Sequence, residues 1–180
     1  MTSFDLNTAR QDYFSLFGLP RSQRLDVAHL EALYRDIQAK VHPDKHAHLS
    51  DSEKRLAMQW ATHVNEAYQT LRDPLRRARY LLELAGHDVA LEKNTAMPPQ
   101  FLIEQMELRE AVAEAKEAQD LDRLDELHRR IRKEIAGEYA RLEAALDGGR
   151  YDEAAGLVRE LMFREKLFQE IDDALAALEA

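Results

Sequence analysis

Few helix breakers interrupt this chain: six glycines and five prolines are spread over 180 residues, and Ala, Leu, Glu and Arg dominate the rest. Glycine and proline are the residues least tolerated inside helices, while those four include the best helix formers, so the composition favours helix over strand. The apolar share of 45% is that of a chain able to bury a core. Its length suits one domain of ordinary size or two small ones.

The breakers divide the chain into helical segments. Residues 1–12 are polar and are expected to be poorly ordered. Tyr13, Phe14, Phe17 and Leu19 form an aromatic cluster on a short helix, closed by Gly18 and Pro20. Asp26 is placed to cap a second helix carrying Leu30, Leu33, Tyr34, Ile37 and Val41 on one face. Pro43 stops it, because the residue before proline is pushed out of the α region. Ser50 and Glu53 have capping-box spacing and start a third helix, with Ala57, Trp60, Val64, Ala67 and Leu71 inward. Asp73-Pro74 ends that helix and opens a fourth, with Leu75, Ala78 and Leu82, running into Gly86. Four such helices make an antiparallel hairpin with two smaller helices on it.

The stretch from Gly86 to Pro99 lacks periodicity and reads as a linker. Three long helical patterns follow, roughly 100–118, 120–147 and 151–179, the last two separated by Gly148-Gly149 at a helix C-cap. The expectation is an all-α chain: residues 1–85 as the hairpin unit with a short N-terminal extension, 86–97 as linker, and 98–180 as an up-down-up three-helix bundle.

Charge and cysteine content exclude several functions. The net charge of −9 disfavours nucleic acid and anionic membranes as partners, and no Lys/Arg-rich block offsets it. With no cysteine, disulfides, thiolate metal sites, cysteine nucleophiles and thiolate-held iron–sulfur clusters are ruled out. No apolar run reaches membrane-spanning length and no basic n-region opens the chain, so it reads as soluble and cytoplasmic. His42, His46 and His48, with Asp44, invite a metal reading, but no helix fixes their spacing, and solvated loop histidines are the reading preferred here. His29, His63, His87 and His128 read as structural or surface residues. Neither a Gly-rich phosphate cradle nor a metal-spaced histidine pair on a helix supports an enzyme.

Two features point to partners. One is the tripeptide His42-Pro43-Asp44: Pro43 fixes φ and stiffens the turn, and Asp44 is presented as a carboxylate able to pair with an arginine of another protein. The other lies in the first bundle helix, where at 100° per residue Phe101, Leu108, Val112 and Ala115 share one face. Leu102, Ile103 and Met106 share nearly the opposite one, beside Glu107 and Glu110. A helix of a three-helix bundle needs one apolar stripe, and this one has two. In the last helix Leu157, Leu161, Phe168, Ile171 and Leu175 face inward, leaving Phe163 off the stripe as a candidate for the same exposed patch. An apolar patch with a polar rim marks a partner site; the competing reading is an unusually wide core.

The order of Tyr34 and Arg35 on a helix, His42-Pro43-Asp44, a capped helix with Val64-Asn65-Glu66-Ala67-Tyr68, then Leu71 and Asp73-Pro74, resembles the J-domain throughout. That resemblance implies that His42, Pro43 and Asp44 contact the ATPase of a DnaK-type chaperone and stimulate hydrolysis, with Tyr34 and Arg35 at further contact positions. Glu31 and Asp36 interrupt the basic stripe common on that helix, leaving Arg35, Lys40 and Lys45, which favours a dedicated chaperone over the general one. Leu16-Phe17-Gly18-Leu19-Pro20, Arg77-Ala78, Tyr80-Leu81-Leu82, Phe101-Leu102-Ile103-Glu104-Gln105 and Glu107-Leu108-Arg109-Glu110 extend the likeness over nearly the whole chain. They resemble the HscB family, whose members bind the iron–sulfur scaffold IscU through the bundle and the chaperone HscA through the J-domain. The resemblance implies a co-chaperone without enzymatic activity or cofactor, with Leu102, Ile103, Met106, Glu107, Glu110 and Phe163 as scaffold-binding residues. The alternative is a J-domain adaptor that delivers a different client.

Overall fold

A computed structural model describes residues 11–41, 48–87 and 96–179. Seven helices run through them in the order α1 (Tyr13–Leu16), α2 (Val27–Val41), α3 (Asp51–Arg72), α4 (Pro74–Leu84), α5 (Pro99–Glu117), α6 (Leu121–Asp147) and α7 (Tyr151–Glu179). Among the described residues there is no strand, and no helix is long and apolar enough to cross a membrane. The chain divides into two compact units at Leu81–Leu82, inside α4.

Local chemistry sets the helix ends. Asp12, expected to be poorly ordered, instead caps α1: its carboxylate accepts from the backbone N–H of Phe14 and Ser15 and pairs with Arg21 at 2.9 Å. Asp26 Oδ1 accepts from Ala28 and His29 N–H at the start of α2. Ser50 and Glu53 form the reciprocal capping box of α3, satisfying donors that have no partner within the helix. Pro74 and Pro99 open α4 and α5, where a missing N–H does no harm. Gly149, at φ +68°, lets Arg150 N–H return to Ala145 O and closes α6. The same closure at the end of α5 falls to Gln119, at φ +51°, where Asp120 N–H reaches Ala115 O.

In the first unit α2 and α3 form the antiparallel hairpin, with α1 packed on α3. Its core holds Phe14, Phe17, Leu30, Ala57, Val64, Ala67, Tyr68, Leu71 and Ala78. Leu33, Ile37, Trp60 and Leu75, expected inward, are only half-buried; a small unit has too much surface for its volume to enclose every apolar stripe. Arg77 is buried beneath this core, donating from Nε to Gln23 O at 3.0 Å and from Nη1 to Leu71 O at 2.6 Å. Gln23 Nε2 in turn donates to Pro74 O, so the α3–α4 corner and the segment before α2 are joined through polar struts.

The second unit is the three-helix bundle. Leu108, Val112 and Ala115 of α5 meet Leu124, Leu127 and Ile131 of α6 and Leu167, Ile171 and Ala174 of α7 in one apolar cluster. Phe168 and Leu175, expected on the inward stripe of α7, pack against this cluster and are partly buried. The stripe is wider than the sequence suggested because α7 packs against both α5 and α6, and it takes in Ala154, Val158, Leu167 and Ala174 as well. Phe168 stacks on His128, whose Nε2 lies 2.8 Å from Asp172 Oδ1.

Candidate partner-binding surfaces

On the hairpin unit, Tyr34 is held from two sides. Its ring stacks on Tyr68 of α3, centroids 4.0 Å apart and planes 1° from parallel. Its hydroxyl donates to Asn65 Oδ1 at 3.0 Å and accepts from Gln38 Nε2 at 2.7 Å. The guanidinium of Arg72 lies 5.4 Å from the Tyr68 ring centre, adding a cation–π contact to the ladder. Arg35 points to solvent and pairs with Glu31 one turn earlier at 2.7 Å. That exposed pair, screened by water, offsets the Arg35 charge and contributes little to stability. His42, Pro43 and Asp44, together with Lys45 and His46, lie outside the described residues; His48 is exposed.

On the bundle, the two stripes of α5 separate as their spacing requires. Phe101, Leu108, Val112 and Ala115 are buried. Leu102, Ile103 and Met106 are 42%, 51% and 71% exposed, and Glu107 and Glu110 beside them are exposed too. Phe163 of α7 is also exposed, and its ring meets buried Phe101 edge-to-face at 6.5 Å. Phe101 directly precedes Leu102, so this contact brings Phe163 to the same end of α5. Four large apolar side chains are thus exposed on two helices, those of α5 edged by carboxylates.

Beneath that surface lies a group of residues the sequence reading did not single out. Arg164 of α7, almost buried, donates from Nη1 to Glu134 Oε2 at 2.6 Å, and its Nε lies 2.7 Å from Glu138 Oε2. The Nε–H is not aimed along that line, so the second contact is a close approach to the Glu138 carboxyl without an aligned hydrogen bond. The guanidinium also sits 5.0 Å from the Phe101 ring centre. Gln105 of α5 is buried, and neither polar atom of its amide has a partner among the described residues. Burial first, and then the neighbouring Glu160 carboxyl, push the Glu138 carboxyl up to about 8, against the pull of Arg164. A signal was available: Gln105 and Glu138 occupy inward positions of otherwise apolar stripes, between Phe101 and Leu108 and between Ile131 and Leu142.

Two family models match the chain in sequence order: the DnaJ domain over residues 12–80 and the HSCB C-terminal oligomerisation domain over residues 97–172. The chain is 58% identical over 171 residues to the co-chaperone protein HscB homolog of Azoarcus sp., covering 94% of this chain and 97% of that one. The chain belongs to the HscB co-chaperone family. The HscB homolog of Ralstonia nicotianae is 53% identical, with 97% and 99% of the two chains covered. Among solved structures, chaperone HscB from Vibrio cholerae superposes with a TM-score of 0.83 at 36% identity, over 93% of this chain and 99% of that one. Human co-chaperone HscB gives 0.84 at 32%, over 90% and 81%. In HscB terms the hairpin unit is a J-domain, which makes the protein a co-chaperone of a DnaK-type chaperone. The exposed apolar stripe belongs to the half of the chain that matches the family's own C-terminal domain.

Proposed function

We propose that the protein recruits an IscU-type iron–sulfur scaffold to the DnaK-type chaperone HscA and stimulates its ATPase, promoting cluster transfer to recipient proteins. The observation that carries this reading is the second, exposed stripe of α5 (Leu102, Ile103, Met106) with Phe163 alongside, in a chain whose other half is a J-domain. Desolvating aliphatic and aromatic side chains supplies affinity, while Glu107 and Glu110 at the rim favour a basic partner edge. Tyr34, Arg35, His42, Pro43 and Asp44 form the chaperone contact. Holding both proteins at once raises the local concentration of scaffold at the chaperone. The protein itself makes and breaks no covalent bond and uses no cofactor, and we place it in the cytoplasm. The division of labour is residues 1–85 for the chaperone and 98–180 for the scaffold, joined by 86–97.

The test is an ATPase assay with purified HscA and IscU, paired with scaffold binding by calorimetry. Asp44→Asn is expected to abolish stimulation and leave scaffold affinity within about twofold, an order-of-magnitude expectation for a substitution outside the proposed scaffold-binding residues. Leu102→Ala with Met106→Ala is expected to weaken scaffold binding and leave basal stimulation intact. If each variant, still folded, loses both activities, the division is wrong. A different client is favoured if the chain stimulates the ATPase without synergy from IscU. The family model's description of an oligomerisation domain motivates one other occupant of the stripe, a second copy of the chain. Sedimentation equilibrium separates the two, since only self-association gives a dimer that Met106→Ala dissociates.

A further inference from the structure

The bundle core is not continuous. One apolar block holds Leu108, Ile131 and Leu167 among others. Phe101, Leu142, Leu157 and Leu161 are buried outside it. Between them, one polar level crosses all three helices, with Gln105 on α5, Glu134 and Glu138 on α6, and Arg164 on α7. Buried charges taken out of water rarely add net stability, and apolar residues of similar size commonly serve as well or better. Leu161 and Leu167 flank Arg164 along the inward face of α7, so aliphatic chains at 164 and 138 together would simply continue the core. The charged level therefore calls for another role, and its contacts indicate one. Arg164 is anchored by two α6 carboxylates at 2.6 and 2.7 Å. Its flat guanidinium packs 5.0 Å from the Phe101 ring centre, and Phe101 in turn meets Phe163 at 83°.

We propose that Arg164 is a positioning residue for the partner surface: anchored on α6, it fixes the Phe101 ring and, through that ring, the orientation of exposed Phe163. This inference rests on the partner-binding reading above and names how that surface is pre-set. An exposed aromatic side chain that must be immobilised on binding costs affinity, and holding it beforehand recovers that cost. The planar guanidinium suits the role because it can pair with carboxylates and stack on a ring at the same time, which an ammonium cannot.

The test is a double-mutant cycle, measured by calorimetry of the full chain against the IscU-type scaffold: wild type, Arg164→Lys, Phe163→Ala and the pair. Arg164→Lys keeps the charge for Glu134 and Glu138 but loses the flat face. It is expected to weaken binding by about three- to tenfold, the effect of freeing one side chain, yet by less than about twofold in the Phe163→Ala background, where there is no ring left to orient. Phe101→Leu provides a second entry to the same cycle should Arg164→Lys fail to fold by circular dichroism. Equal losses in both backgrounds overturn the proposal, because a generally loosened bundle weakens binding whether or not Phe163 is present. Unchanged affinity in Arg164→Lys beside a weakened Phe163→Ala overturns it too. If Phe163→Ala and Leu102→Ala both bind the scaffold as tightly as wild type, the scaffold-binding reading itself fails and the inference falls with it.

Discussion

Each of the two units has an arginine turned inward, Arg77 buried and Arg164 nearly so, and the two are held differently. In the J-domain, Arg77 sits near the start of α4 and reaches the backbone carbonyls of Gln23 and Leu71. In the bundle, Arg164 sits in the middle of α7 and reaches the carboxylates of Glu134 and Glu138. A carbonyl has no proton to gain or lose, so those two contacts of Arg77 are indifferent to pH. A buried carboxyl takes up a proton when ionisation becomes too costly, and Glu138, pressed by burial and by Glu160, does so up to about pH 8. A contact of a buried cation with neutral backbone therefore differs in consequence from one with an ionisable side chain.

The largest effect that bears on this contrast is expected from Arg164→Met. It leaves the buried Glu138 carboxyl without its counter-charge, a loss of about 3–5 kcal/mol in stability when that group is ionised, while part-exposed Glu134 keeps Arg130 at 3.0 Å. Urea denaturation followed by circular dichroism should show the full loss at pH 9 and a smaller one at pH 6, where Glu138 holds a proton. Equal losses at both pH values would break the comparison. Next comes Arg77→Met, expected to cost about 2–3 kcal/mol by leaving the buried carbonyls of Gln23 and Leu71 unpaired. Trp60, the single tryptophan, lies on α3 and reports the J-domain by fluorescence; an unchanged unfolding midpoint would show that the two carbonyl contacts contribute little.

Glu138→Gln sharpens the comparison by removing the titrating group. The Glu138 pKa is raised from 4.5 in the unfolded chain to about 8 in the folded one. Between those values the folded state holds a proton that the unfolded state has released. Its contribution is therefore fully present below about pH 4.5 and is lost as pH rises through about 8. One such group gives a slope of at most ~1.4 kcal/mol per pH unit. Denaturation midpoints from pH 5 to 9 should flatten in the variant, and at pH 9 it should be the more stable protein; an unchanged slope assigns the pH dependence elsewhere. The smallest effect concerns a helix end. Gln119→Gly should stabilise the bundle by up to about 1 kcal/mol, since glycine adopts the positive φ required there without strain. A thermal melt that stays put or falls shows that the Gln119 side chain contributes more than its backbone strain costs.

Much of this was legible beforehand, for reasons that differ from residue to residue. The capping box of Ser50 and Glu53, the proline start at Pro74, and the Gly148-Gly149 closure act within a turn of the chain, so their signals are local. The opposed stripes of α5 were legible because angular spacing alone puts Leu102, Ile103 and Met106 away from Phe101 and Leu108. Trp60, Leu33 and Phe168 were placed too deep, because periodicity gives the direction of a side chain but not how much protein lies in that direction. The Asp12 cap was missed because its polar neighbours upstream read as one disordered run.

By itself, then, the sequence determined where helices begin and end, which face of each is apolar, and that α5 carries one apolar face too many. These follow from dihedral preferences and a 3.6-residue period, both properties of a short stretch of chain. Only the tertiary structure decided that Arg77, Gln105, Glu138 and Arg164 are interior. A long polar side chain stays buried only when its partners arrive, and Arg164 and Glu134 are 30 residues apart in sequence but 2.6 Å apart in space.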